Sequence, residues 1–529
     1  MTKAYGAIII GAGINGLVTA AYLAKAGLRV LVLERRDRVG GVRVTEEAYP
    51  GFRFDTCAHD TGWLNPAIIR DLALARHPLE FIQPDPTVCA PSPDGGGLAL
   101  WRDVDKSVEA IRRFSKSDAD RWPAFSTRMA KLAGFLKSLY AITPPSITTT
   151  NPVELLTLLG LGRRLRGLGR QDMIELVRAL PMSVDELLND WFETDVLKGV
   201  LGAGGITGLM QGPRASGTAY VFLHHQLGSP AGTFRSIGLV RGGIGNLANA
   251  ISAAARQHGV EIRLSAEVAH ILVKADRVSG VVLRDGEEIG GRRVVSAVDP
   301  RRTFFELLDP LRLDPNFVRA VQNIKYRNAR AKVNLALSEL PHFDGLDPAH
   351  LRGAISISPS LDYLEHAYDD AKHGGLSRRP YLEAIIPSLS DPTLAPPGRH
   401  VMSIWMQHAP YRLKDGAWDD RCREALGDLV VNTLAEYAPQ LKASMLYRQV
   451  LTPLDLENTF GLTEGQLDHG ELTLDQILFM RPVPGWAKYR TPMQDLYLCG
   501  PGTHPGGGVA GGSGYHAARE ILKDVKRVG

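Results

Sequence analysis

Four apolar residues, Ala7-Ile8-Ile9-Ile10, run straight into the glycine turn Gly11-Ala12-Gly13-Ile14-Asn15-Gly16. An unbroken apolar run of that length, stopped by glycine, predicts a short strand buried on both faces. Leu17 to Ala26 then mixes small and apolar residues and stops at Gly27, the pattern of a helix with a glycine at its C-terminus. Arg29-Val30-Leu31-Val32-Leu33 reads as a second strand, with Glu34 at its end. Strand, glycine turn, helix and strand in that order predict a βαβ unit.

The pattern changes between about residues 70 and 225. Amphipathic stretches such as Val184 to Phe192 predict helices, and Pro144-Pro145 and Thr148-Thr149-Thr150-Asn151-Pro152 break the chain between them, so this region reads as a helical insertion. Strand grammar returns after Leu239. Asn246 is placed to cap a helix running to His258, with Gly259 as its stop. Val260 to Leu264, Val268 to Val273, Val278 to Leu283 and Val294 to Val298 read as strands, with a hairpin signal at Asp285-Gly286. From 301 to 480 strands and helices mix, with alternating runs at Lys332 to Leu337 and His400 to Met406. The end of the chain repeats the opening grammar: a strand at Leu496-Tyr497-Leu498, a glycine-rich stretch from Gly506 to Gly514, and a helix from Tyr515 to Asp524.

A chain of 529 residues exceeds what a single core usually holds, so two large domains are expected. Lys plus Arg outnumber Asp plus Glu by 61 to 57, too small a surplus to point to nucleic acid, and zinc-ligand spacing is absent. Cys57, Cys89, Cys422 and Cys499 are widely separated and form no CxxC. This argues against a disulfide framework or a redox dithiol and favours a reducing, cytoplasmic compartment. The apolar run at the N-terminus is too short for a secretory signal, and no segment has the length of a membrane span.

The glycine turn carries the first chemistry. In a GxGxxG placed between strand and helix, Gly11 permits the tight turn, Gly13 leaves room for a pyrophosphate and Gly16 lets helix and strand approach closely. The helix N-terminus offers free N–H groups to phosphate. Glu34 stands 18 residues after Gly16, where a carboxylate meets ribose hydroxyls. Gly242-Gly243-Ile244-Gly245 lacks this context, so a second nucleotide site for NAD(P)H is not expected.

The stretch from Gly11 through Ala20, Leu23, Gly27, Val30 and Glu34 to Arg36, Gly40 and Gly41 resembles the amine oxidase and phytoene desaturase superfamily of FAD enzymes. Leu498-Cys499-Gly500-Pro501-Gly502-Thr503-His504-Pro505-Gly506 is similar to the THPG element of carotenoid desaturases. Ser390 to Gly398, Thr473 to Pro484 and Asn189-Asp190-Trp191-Phe192 resemble the branch holding carotene ketolases and the group named for a pyridine nucleotide-disulphide oxidoreductase domain, the nearer look-alike.

That resemblance implies an α/β fold: a Rossmann-like FAD-binding domain of the GR2 type, made from residues 1–70, 226–300 and 481–529, with an inserted mixed α+β substrate domain from 71–225 and 301–480. It further implies that Glu34 holds the adenosine ribose, that Arg36, Gly40 and Gly41 meet the pyrophosphate, that the Val268 backbone meets the adenine, and that Gly500 and Val509 line ribityl and flavin. Relatives place Arg directly after Gly-Gly, whereas this chain has Val42 and then Arg43. By the same resemblance the chain is an FAD-dependent oxidoreductase that desaturates, isomerises or oxidises an apolar polyene, isoprenoid or lipid in a mainly apolar cavity. The alternatives are a flavin amine oxidase and a flavin-bearing interaction protein without turnover. His504 and His59, with Asp60 beside the latter, are the candidates to accept a proton. His224-His225 and His469 read as ordinary polar positions. Val153 to Leu161, followed by Arg163, Arg164 and Arg166, reads either as a core-packed helix with a solvated end or as a helix lying on a membrane surface, and peripheral membrane affinity is expected from it. Association of the chain with itself stays open.

Overall fold

Ala7–Ile10 is the middle strand of a five-stranded parallel sheet, and all four of its residues are buried. Its neighbours are Val30–Leu33 and then Glu261–Arg263 on one side, and Val294–Ser296 and then Leu496–Leu498 on the other. A strand covered on both faces has no solvated side, which is why its sequence is continuously apolar rather than alternating. The computed structural model describes residues 4–528 apart from Ile147, Ala231, Ser236, Ile237, Asn328 and Ala329. Met1 to Lys3, the start of the predicted first segment, lie outside the described residues.

The helix Ile14–Lys25 packs against the sheet and is flanked by helices Gly245–Gln257 and Gly512–Val528. Its small residues let backbones close up: a Cβ on Gly16 would lie 2.1 Å from the Gly11 carbonyl oxygen. The helix begins three residues earlier than its apolar pattern predicts, because Ile14 turns inward to the core. Gly245–Gln257 also starts early, and Asn246 does not cap it; the Asn246 side chain donates to the Arg241 carbonyl instead. Val268–Lys274, Arg277–Leu283 and Glu288–Gly290 form a separate three-stranded antiparallel sheet whose second turn holds Asp285-Gly286.

A second, seven-stranded sheet runs in the order Met445–Leu451, Arg330–Leu337, His400–Gln407, Leu382–Ile385, Ala354–Ile357, Val88–Pro91 and Gly97–Leu100. The last two strands lie in the region expected to be helical; their short runs, four residues each, are too brief to show a period. Beyond them the helical expectation holds. Lys116–Tyr140, Pro152–Gly167, Arg170–Ala179, Val184–Asn189, Asp195–Ile206 and Thr218–His225 form a helical layer. Its core gathers Trp122, Phe125, Phe192 and Phe222. Trp191 and Phe192, read as the end of one helix, lie just beyond it. No helix among the described residues is long and apolar enough to cross a membrane.

Candidate functional site

A cleft of about 1350 Å³, counting the open space at its mouth, runs along the C-terminal edge of the five-stranded sheet. That edge is where open α/β sheets bind ligands, because helix N-termini and strand ends converge there. One end is lined by Glu34, Arg36, Ala266 and Val268, the middle by Gly11, Gly13, Gly16, Gly40, Gly41 and Arg43, and the far end by Ala58, Asp468, His469, Pro501 and Gly506 to Val509. Of the ten cofactor-binding positions read from the sequence, nine line this cleft. Gly500 lies just behind the wall, packed against the Ala297 carbonyl, and Pro501 takes the lining position.

The residues fit a dinucleotide. A Cβ built on Gly13 meets no atom within 4 Å, so the glycine opens onto free space at the head of the Ile14–Lys25 helix. Gly40 donates its backbone N–H to the Ala12 carbonyl and Gly41 lies against Gly13, so the second glycine pair closes onto the first. Among the described residues that line the cleft, two buried guanidinium nitrogens have no hydrogen-bond partner, Arg36 Nη1 and Arg43 Nε. An unpaired buried donor is costly, and an anionic ligand in the cleft would satisfy both. Glu34 is buried and accepts from the backbone N–H groups of Ala12 (2.7 Å) and Arg36 (3.0 Å). A carboxylate has acceptor capacity beyond those two bonds, which leaves it able to take ribose hydroxyls. Ala266 donates to the Glu34 carbonyl, and this bond brings Val268 to the adenosine end. Arg43, displaced by one position from the resembling pattern, still reaches the wall.

The far end differs from expectation. The resemblance predicts a mainly apolar cavity there, yet the wall mixes Ala58, Leu467 and Val509 with Asp468 and His469. His469, an ordinary polar position by sequence, is buried with Nδ1 unpartnered. Behind Ala58 lies a charged cluster that no sequence feature announced. Lys332, fully buried on the second sheet, places Nζ 2.8 Å from His59 Nδ1 and 4.5 Å from the Trp405 ring. Burial lowers the Lys332 pKa to about 7, against the opposing pull of Cys57, Asp55 and Glu383. The same burial, with Lys332 beside it, holds His59 well below the usual histidine range, so the ring is neutral. Arg235 pairs with Glu383 in the next layer.

His504 does not face the cleft. Its Nε2 lies 3.3 Å from the Leu139 carbonyl, its ring packs against Tyr140 and His516, and burial lowers its pKa to about 3. His224 does touch the wall from behind: Nε2 lies 2.9 Å from the Gly507 carbonyl and Nδ1 3.0 Å from Tyr140 Oη. The glycines after Val509 serve packing. Added Cβ atoms would strike Ile68 from Gly511, Val509 from Gly512 and the Asn15 carbonyl from Gly514. The four cysteines are free, and Cys57, Cys89 and Cys499 are buried, so no dithiol is formed.

Comparison with known proteins gives the family. The family model described as flavin containing amine oxidoreductase matches residues 14–522. The chain is 38% identical over 548 residues to pyridine nucleotide-disulfide oxidoreductase domain-containing protein 2 of Rattus norvegicus, covering 99% of this chain and 94% of that one. It is 29% identical to a limonene dehydrogenase polypeptide of Castellaniella defragrans, covering 98% and 94%. A solved structure of a putrescine oxidase triple mutant superposes with a TM-score of 0.61 at 15% identity, over 99% of both chains, which bears on the fold alone. The chain belongs to the flavin-containing amine oxidoreductase family, and is an FAD-dependent oxidoreductase.

Proposed function

We propose that this member of the flavin-containing amine oxidoreductase family oxidises an apolar isoprenoid or similar lipid that it meets at a membrane surface. FAD supplies the redox chemistry when bound, by accepting a hydride from the substrate. The chain's residues supply grip and proton handling. Gly11, Gly13, Gly16, Gly40 and Gly41 clear the pyrophosphate path, Arg36 and Arg43 offer charge to it, Glu34 takes the ribose, and Val268, Gly500 and Val509 shape the two ends. Lys332, with a pKa of about 7, exists partly as the neutral amine near neutral pH; it stands behind the wall at Ala58 and does not line the cleft, so the proton that leaves the substrate as hydride departs would reach it by relay. His59 holds its Nζ in place.

The observation that carries the apolar reading is the surface of Pro152–Ala179. Six of the twelve large hydrophobic residues exposed among the described residues fall here: Val153, Leu155, Leu156, Leu159, Ile174 and Val177. The helix Pro152–Gly167 buries none of its 16 residues, and its outward face passes from these apolar side chains to Arg163, Arg164 and Arg166. Its length falls short of the ~20 residues a span requires. An apolar face rimmed by arginines suits the interface of an anionic bilayer. The limonene dehydrogenase relative adds a terpene by name.

A second reading, amine oxidation, draws support from the charged cluster of Lys332, Glu383 and Asp60 behind the cleft wall. Against it, the Trp405 ring already carries Lys332 and Arg330, so that ring is not free to cage an amine. Anaerobic mixing of the holoprotein with isoprenoid alkenes, isoprenoid alcohols and primary amines, each with anionic vesicles, separates the readings by bleaching of the flavin absorbance. Bleaching by isoprenoids supports the proposal. Bleaching by amines alone moves the assignment to the second reading, and bleaching by none of them favours a protein without turnover.

A further inference from the structure

Arg481 has no exposed surface, and among the described residues no carboxylate oxygen lies within ion-pairing distance of it. Of the other deeply placed arginines, Arg235 pairs with Glu383, and the more exposed Arg327 and Arg490 pair with Glu471 and with Glu520 and Asp524. Arg481 instead spends its donors on backbone carbonyls. Nε donates to Pro501 (2.9 Å), Nη1 to Glu471 (3.4 Å) and Gln476 (3.2 Å), and Nη2 to Asp468 (2.5 Å) and Gly470 (3.1 Å). An arginine cannot shed its proton in a protein, so this charge stays in the interior. The carbonyl cage satisfies its hydrogen bonds, and the charge has no carboxylate in contact with it; Asp468 acts on it only from beyond ion-pairing distance.

Its position is specific. Asp468, Pro501 and Gly506 are wall residues at the far end of the cleft, and a Cβ on Gly506 would stand 3.5 Å from Arg481 Nε. The guanidinium therefore sits one layer behind the wall and joins the 468–476 loop to the strand-end turn at Pro501. Asp468 also carries charge on this wall, but its carboxylate lies 3.7 Å from Arg330. Arg43, which likewise has no carboxylate partner within ion-pairing distance among the described residues, faces the part of the cleft where a pyrophosphate would lie. The two unmatched arginines thus mark the two places where a bound FAD carries or acquires negative charge.

We propose that Arg481 is a positioning residue with an electrostatic role: its buried charge holds the far wall in register and favours negative charge on the flavin ring when the ring is reduced. A fixed charge in a low-dielectric site acts strongly on charge that develops nearby. The inference rests on FAD occupying the cleft, and the two can fail separately, because flavin content is read before flavin properties.

The test uses R481K, R481Q and R481M in the full chain, with three readouts on the purified holoprotein: FAD dissociation constant, midpoint potential by dye equilibration, and the absorbance of the reduced flavin across pH. R481K keeps the charge but lacks the fork that bridges the carbonyls, so the potential stays near that of the unmodified protein while FAD binds several-fold more weakly. R481Q and R481M lose the charge, so the potential falls and the neutral reduced ring appears at higher pH than in the unmodified protein. Neutral variants that bind FAD with unchanged potential and unchanged reduced spectrum would overturn the electrostatic role. Should the neutral variants not fold, the unmodified protein still decides: once photoreduced, it must show the anionic reduced spectrum from mildly acid to alkaline pH, and a neutral spectrum at the acid end would overturn the proposal.

Discussion

The two ends of the cleft are built in opposite ways. At the adenosine and pyrophosphate end, residues 11–43, one βαβ unit and the turn after it, supply the glycine cradle, the carboxylate and both unpaired arginine nitrogens, and Ala266 and Val268 close the adenosine side. The far end is walled by Ala58, Leu467 to His469, Pro501 and Gly506 to Val509, and is backed by His59, Lys332, Trp405 and Arg481, brought together by two sheets. The cofactor's constant half is gripped by local backbone geometry, which tolerates little change. The reacting half is surrounded by long-range side-chain contacts, which can be re-specified without rebuilding the nucleotide site.

The comparison breaks most sharply at Gly13. Gly13→Trp fills the open face of the glycine turn, and flavin content should fall to near zero with the fold retained; the flavin-to-protein absorbance ratio after purification reads this directly. A full flavin complement in that variant would remove the pyrophosphate assignment.

At the far end, Lys332→Met should leave flavin bound and lower kcat by about 10²–10⁴-fold, the usual reach of a general base. Turnover in the unmodified protein should rise as pH passes through about 7, as the Lys332 amine loses its proton. Stability follows the same group with a definite sign. Its folded pKa of about 7 lies below the 10.5 of an exposed lysine, so the unfolded chain holds more protons between those values. Stability therefore rises with pH through that window, and Lys332→Met should flatten this contribution in urea melts.

Changing Arg163, Arg164 and Arg166 to Ser should weaken pelleting with anionic vesicles by about a hundredfold, taking ~1 kcal/mol per arginine near such a surface. Thermal unfolding should scarcely move, because these positions are exposed. Equal pelleting by both proteins would detach the membrane reading from this helix. The smallest effect on turnover is expected at His504. Its ring faces Leu139 and Tyr140 rather than the cleft, so His504→Ala should lower kcat by less than about tenfold. A loss beyond ~10²-fold with flavin retained would return His504 to the catalytic machinery.

The nucleotide end was legible because its signals are short in sequence and each residue type has one physical purpose there. Gly11, Gly13 and Gly16 next to an apolar run, with Glu34 at the following strand end, have few structural alternatives. Lys332 was not legible: it sits in an alternating strand pattern, and its partner His59 is 273 residues away. Arg481 lies in an irregular segment where nothing local distinguishes it from a surface arginine. Proximity in sequence also misleads. His504 stands in the element that forms the far wall, yet the wall is made by Pro501 and by Gly506 to Val509 while the His504 ring turns to the helical layer. The seven-stranded sheet was visible as alternating runs, but its two edge strands from 88 to 100 were too short to separate from the surrounding helical pattern.

Calorimetric titration of FAD into deflavinated protein, comparing the unmodified chain with Glu34→Ala, tests the central claim most directly. The account predicts a single saturable site per chain, and a loss of about ten- to a hundredfold in affinity when the carboxylate is removed, from ~1.5–3 kcal/mol for hydrogen bonds to a charged group. Absence of saturable binding in the unmodified protein, or the same affinity in both proteins, would contradict it.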